Sequence, residues 1–398
     1  MAIPWMTNDN KALHFGGWQI TEWLINYQAG FVRRGLVGEV IYGLGSGQDL
    51  LPILYRLTLI FFLIYCALFL AIYFLSKIRQ PWVLTLAILI PGGLFQMGFT
   101  MQFFTRKEIL FLILFSFLCL SYLLSLRDGE AQKKCWIYVV YLCAILGGLT
   151  MTLIHEGYLF MSYPLTVLLL WICRRENPQI CYLSTLFYLY CLSIPFLFIF
   201  CAINHGDVTI AQQMWQSLSL GDRLILSPSA PYTVFGLMAA IGWGITENLL
   251  TIYGVFATGG WKYWLLFIIG NALTLALMLC KITAKGQRSY AKYVLLIIFA
   301  TIISAGMFVV AADWGRWISF ISNSVIIFAF TMYRSPFAMG SINAPGVRVP
   351  RVLVRYWTKV PFLYLLPPIL LYDVFMRLPE CCIYPPLLIM PFKHYFFT

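Results

Sequence analysis

Long apolar runs recur along nearly the whole chain, separated by short polar breaks, and they decide what it can fold into. Ten stretches, at 52–76, 82–103, 108–126, 135–154, 157–173, 182–203, 262–281, 293–312, 316–333 and 360–376, each come near the roughly 20 residues that cross a bilayer as a helix. Inside hydrocarbon every backbone polar group needs an internal partner, which leaves helices and closed barrels as spanning structures. Of 398 residues 61% are hydrophobic and only 11% are charged, with a mean hydropathy of +0.82. The expected fold is therefore an all-α polytopic membrane protein of about 10–12 transmembrane helices.

The net charge of +12 reads as membrane topology, not as nucleic-acid binding. Basic residues follow alternate spans: Lys77 and Arg79, then Arg127, Lys133 and Lys134, then Arg174 and Arg175, then Lys281, Lys285, Arg288 and Lys292. A fifth group, Arg348, Arg351, Arg355 and Lys359, fills the loop 334–359. The positive-inside tendency places all five in the cytoplasm, and a basic surface also suits anionic membrane lipids. Alternation then places residues 1–51 outside, as an N-terminal segment with an interfacial helix ahead of a transmembrane domain spanning 52–398. It also makes 203–261 an outer loop. The apolar part 233–256 cannot then be a simple crossing, and its glycines fit a re-entrant or interfacial segment. Eleven cysteines show no metal-binding spacing and read as buried thiols. No cofactor motif is present, and a divalent metal is left open as an accessory.

The ionisable residues outside the basic loops fall into a few short clusters, all on the expected outer side. Glu22, Arg33, Arg34 and Glu39 precede the first span. Arg106-Lys107-Glu108 lies between the second and third. His155-Glu156 forms a very short turn between the fourth and fifth. Asp313-Trp314-Gly315-Arg316-Trp317 lies between two late spans. Each has an ordinary reading: an arginine pair as topology signal, a snorkelling basic pair, a polar pair capping helix ends, an aromatic belt with a local ion pair. Their convergence on one face favours a shared site, since ionisable groups at membrane depth are costly and mark function or pair with one another. Arg33, Arg34, Arg106, Lys107 and Arg316 are candidates to bind phosphate, which arginine grips bidentately. Glu108 would hold Arg106, His155 would orient a carboxylate or bind the ligand, and Trp314 would stack on a sugar. Glu22, Glu39, Glu156 and Asp313 are the candidate acid/base groups. The glycines of 26–39 would let backbone approach a ligand.

The stretch Thr21-Glu22-Trp23 followed by Gly30-Phe31-Val32-Arg33-Arg34-Gly35-Leu36-Val37-Gly38-Glu39 resembles the first outer loop of integral-membrane glycosyltransferases of the GT-C type. More loosely, the chain is similar to bacterial O-antigen and capsular polysaccharide polymerases. The resemblance implies a multi-pass protein of the bacterial inner membrane. Such a protein would take sugar from a polyprenyl-phosphate or -diphosphate carrier at the outer face, with an acidic residue of that loop, here Glu39, as base. The competing classes are a transporter or flippase of lipid-linked sugars, a membrane acyltransferase acting on a glycan with His155 as base, and a structural subunit.

Overall fold

The computed structural model describes residues 17–45, 49–99, 106–243, 245–257, 261–284, 302–304, 306, 313–335 and 362–376. All regular secondary structure among them is helical, and the chain is an all-α polytopic membrane protein. Four described helices are long and apolar enough to cross a bilayer: α3 (Leu50–Ser76), α7 (Glu130–Ile154), α10 (Leu183–Ile203) and α15 (Trp314–Met332). Ahead of them come α1 (Gly17–Trp23) and α2 (Leu36–Leu44), the short helices of the N-terminal segment. Two more helices complete the core: α6 (Ile109–Ser125) packs between α3 and α7, and α14 (Trp261–Ala284) lies against α15.

Helix α15 is the axis of the bundle. Its mean hydropathy of 1.2 is the lowest of the four spans, yet 94% of its apolar window is buried. The two facts belong together, because its Ser319, Ser322, Asn323, Ser324 and Thr331 face protein and not lipid. Two of these side chains hold a break in a neighbouring span. The expected helix at 82–103 is interrupted, running as α4 (Pro81–Leu89), a bend through Ile90–Gly93, and α5 (Leu94–Phe99). Gly92 there has φ +75°, which an L side chain rarely adopts. The carbonyl this frees accepts from Ser319 Oγ and from Asn323 Nδ2 (2.8 Å), while Tyr65 OH donates to Asn323 Oδ1 (2.9 Å). Irregular backbone at membrane depth survives only when protein satisfies it, and here α15 and α3 do so.

A second break replaces the expected 157–173 span with α8 (Tyr158–Met161) and α9 (Tyr163–Glu176). Among the described residues of 233–256, which alternation of the basic loops makes something other than a simple crossing, no helix is long enough to span. A 3₁₀ turn at Gly236–Met238 is joined to α1 by Thr21 Oγ1, which accepts from the Leu237 N–H (2.9 Å). The 13-residue α13 (Ile245–Ala257) follows, too short to cross. Between α10 and that turn lie α11 (Val208–Ser217) and α12 (Leu220–Leu226). Asp222 of α12 accepts from the backbone N–H groups of Leu50 (2.9 Å) and Leu51 (3.2 Å), so it caps the start of α3 from a distant part of the chain. The last described helix is α16 (Phe362–Phe375), whose Asp373 accepts from Thr274 Oγ1 on α14 (2.9 Å). The expected span at 293–312, apart from residues 302–304 and 306, lies outside the described residues. So do most of the loop 334–359 and the tail containing Cys381-Cys382.

Replacing Asn323 by Leu removes the bond from its amide to the Gly92 carbonyl in the bend and leaves Tyr65 OH without its acceptor. The expected cost is about 1–2 kcal/mol, the upper range for membrane hydrogen bonds. It should appear as a lower midpoint for thermal unfolding in detergent, with Ser324→Ala, whose hydroxyl makes no hydrogen bond among the described residues, as the control.

Candidate functional site

The topology puts the end of α7, the start of α6, the start of α15 and the N-terminal segment at one end of the bundle. The charged motifs of all four meet there in one buried ion network. Glu22 of α1 is its centre. This carboxylate is buried among charged groups from three other segments: Oε2 lies 3.3 Å from Arg106 Nη1, and Oε1 lies 3.2 Å from His155 Nε2 and 3.8 Å from Arg34 Nη1. Arg106 also reaches Asp313 (3.6 Å), which pairs with Arg316 one turn along α15 (3.0 Å). Arg316 in turn lies 3.1 Å from Glu108. On the other flank Arg34 grips Glu156, with Nε donating to both carboxylate oxygens at 3.0 and 2.9 Å, and Arg33 lies 3.4 Å from the same group.

The two adjacent arginines meet at Glu156 but are anchored differently. Arg33 is anchored toward the 204–243 segment: its N–H donates to the Asn204 carbonyl (2.9 Å), and Nη2 donates to the carbonyls of Ile241 (3.1 Å) and Trp243 (3.3 Å). Arg34 sits at φ +67°, a left-handed conformation uncommon for any residue but glycine. Lys107 Nζ donates to its carbonyl at 2.8 Å. A strained residue persists when its surroundings over-determine it, and Arg34 is held at both side chain and carbonyl.

His155 ends α7, and its own turn fixes its protonation. The Gly157 N–H donates to Nδ1 (2.9 Å), so the proton of the neutral ring sits on Nε2 and faces Glu22. This bears on metal binding. Glu22, Glu108 and His155 bring one ligand atom each within 4.8 Å of one another. The ring nitrogen turned toward the two carboxylates carries hydrogen, however, and arginines already neutralise both acids. The donor set does not suit a metal.

Burial pushes the Glu22 carboxyl up, but the hydrogen bond from His155, with the charges of Arg106 and Arg316, outweighs it and holds Glu22 well below the usual carboxylate range. Glu156 behaves alike: burial raises it, Arg34, Arg33 and His155 lower it further, and the net shift is strongly downward. The same pairing raises the Arg34 guanidinium against burial. Lys107 goes the other way. Burial takes its amine down to about 7, the attraction of Glu22 notwithstanding, with Arg34 adding to the fall.

Of the expected site residues, Arg33, Arg34, Arg106, Lys107, Glu108, His155, Glu156, Asp313 and Arg316 are brought together. Glu39 is not. Its oxygens accept from the Tyr27 N–H (2.8 Å) and Gln28 Nε2 (2.9 Å), and it makes no ion pair among the described residues, so it braces the turn at 26–30. Trp314 spends its face on Trp264, stacked at 4.4 Å, and meets the edge of Phe256 at 5.9 Å; it belongs to an aromatic wall beside Asp313. The glycines of the stretch serve the chain itself. A Cβ on Gly38 would stand 1.9 Å from the Ile25 carbonyl oxygen, and one on Gly35 would enter the Tyr27 ring. Glu22 read from the sequence as one of several outer acids, and nothing in its neighbours marked it as the centre.

Two outcomes follow. Gly38→Ala forces α2 off the backbone of residues 23–25 and should cost about 1–3 kcal/mol, as overpacking does, read as a lower unfolding midpoint. For pH, the depressed Glu22 and Glu156 mean that the folded chain binds fewer protons than the unfolded chain just below the ordinary carboxylate value. Their contribution is present above that value and is lost as pH falls. The unfolding midpoint should drop steadily from about pH 5 to about pH 3, and Glu22→Gln should flatten that slope. An equal slope in the variant would remove Glu22 from the centre of the network.

No family model, curated protein or solved structure matches this chain; its own geometry carries the functional reading.

Proposed function

We propose that this protein is an integral-membrane glycosyltransferase or polymerase of cell-surface polysaccharide assembly. It takes sugar from a polyprenyl-phosphate or -diphosphate carrier at the outer face of the bacterial inner membrane. One observation carries the reading: four arginines and four carboxylates from four separate segments form one network at one end of the bundle, with Arg33, Arg34 and Asp313 at its more accessible rim. The side is argued from charge. Lys77, Arg79, Arg127, Lys133, Lys134, Arg174, Arg175 and Arg334 follow the opposite helix ends, which makes that end cytoplasmic under the positive-inside tendency.

The chemistry follows from which groups are committed. Transfer joins an acceptor hydroxyl oxygen to the anomeric carbon as the bond from that carbon to phosphate oxygen breaks. The electron pair leaves with the phosphate, and the hydroxyl proton goes to a base. Arginines placed where that negative charge develops stabilise it. Arg316 and Arg106, flanking Asp313 at 3.0 and 3.6 Å, take that role. Of the four carboxylates Asp313 is the most open, with its side chain 22% exposed against 11% for Glu156 and 1% or less for Glu22 and Glu108. Asp313 is therefore the base, Glu156 fixes Arg33 and Arg34, and Glu39 has no part in the reaction.

The test is sugar transfer from a polyprenyl-linked donor by purified protein. Asp313→Asn should lower the rate by about 10²–10⁴-fold, the usual contribution of a general base. Glu39→Gln should keep it within a few-fold. Full activity in Asp313→Asn, or absence of transfer from every polyprenyl-linked donor offered, contradicts the reading.

A further inference from the structure

Lys107 has no counter-charge in a site full of carboxylates. Its side chain is wholly buried, and its Nζ donates to a neutral carbonyl, that of Arg34. No carboxylate lies within ion-pair distance of Nζ among the described residues. The rest of the network is balanced without it. Arg33, Arg34, Arg106 and Arg316 each pair with at least one of Glu22, Glu108, Glu156 and Asp313. Four fixed positive charges thus meet four negative ones, and a fifth cation would be buried unmatched. Such a charge is costly, and the group sheds its proton instead. An anion arriving at the rim changes this, because it supplies the missing negative charge in surroundings of low dielectric.

We propose that the site takes up one proton, at Lys107, when it binds a phosphate-bearing anion. The step is a protonation of the neutral amine to the ammonium by a proton from solvent, with no other bond made or broken. It rests on the phosphate-bearing ligand of the preceding section and adds how that ligand is counter-charged. The downward displacement of the Lys107 amine by burial agrees with it.

The groups around Lys107 leave few rivals. They are Glu22 from α1, Arg34 from the preceding turn, Arg106 and Glu108 beside it, His155 and Glu156 from the end of α7, and Asp313 and Arg316 from α15. Arginines do not titrate in this range, and Glu22 and Glu156 are held ionised. His155 already carries hydrogen on Nε2, so a second proton would go to Nδ1. That atom accepts from the Gly157 N–H at 2.9 Å and also lies 3.8 Å from Glu156, so His155 is the rival that the Lys107 variants separate.

The test uses the full chain in detergent and inorganic sulfate, a tetrahedral anion that does not itself titrate near neutrality as a phosphate monoester does. Calorimetric titrations at about pH 8 in two buffers of different ionisation heat count protons. The wild type should take up close to one per sulfate bound, and its affinity should weaken toward about tenfold per pH unit from pH 8 to 9. Lys107→Met, neutral like the resting amine, and Lys107→Arg, permanently charged, should both bind without proton uptake and without that slope. Uptake that persists in Lys107→Met assigns the proton elsewhere and overturns the proposal. So does sulfate binding without uptake in the wild type, or no sulfate binding at all. Sugar transfer measured on the same preparation separates the two claims. A wild type that transfers sugar yet takes up no proton keeps the enzyme reading and rejects the role of Lys107.

Discussion

The structure depends on one electrostatic constraint: charges buried at the end of a membrane bundle must neutralise one another. Stripping a carboxylate or guanidinium of water costs several kcal/mol even after relaxation, so each must find partners of opposite sign with good geometry. Glu22 meets this by drawing on Arg34, Arg106 and His155, which come from three different parts of the chain. Removing any one weakens the pairing of a carboxylate that stays buried. The network therefore ties the N-terminal segment, the α6 and α15 starts and the α7 end into one unit, whatever reaction it supports.

The helices around the network are irregular in ways that serve it. Breaks near Gly92 and Ser162 shorten what would otherwise be plain spans, and polar side chains of α15 satisfy the backbone exposed at the first of them. The close approach of Gly38 to Ile25 seats α2 beside α1, which carries Glu22. The left-handed Arg34 lets two successive arginines reach the one Glu156 carboxylate while Arg33 also binds the 241–243 backbone. A bundle of uniform helices would give these side chains no common meeting point.

Much of this was legible in the sequence. Apolar runs gave the all-helical membrane class. The charges outside the basic loops named ten residues that the structure gathers at one end, Glu22 among them. What the sequence did not carry was connectivity at the level of side chains. Glu22 and Glu39 are both acids of the N-terminal segment, and only the tertiary path decides that the first meets Arg106 while the second turns back to Tyr27 and Gln28. Span continuity was likewise over-read at 82–103 and 157–173. Hydropathy is blind to a bend whose freed carbonyl finds a partner on a helix far along the chain.

The central claim is that these dispersed motifs face one side of the membrane together, and thiol accessibility tests it most directly. In a cysteine-free background, single cysteines in place of Arg33 and Asp313, at one end, and of Lys133 and Arg175, at the other, are exposed to a membrane-impermeant maleimide on intact cells. The account predicts that the first two label from outside and that the second two label only after the membrane is opened. Labelling of Arg33→Cys and Asp313→Cys from opposite sides would contradict it.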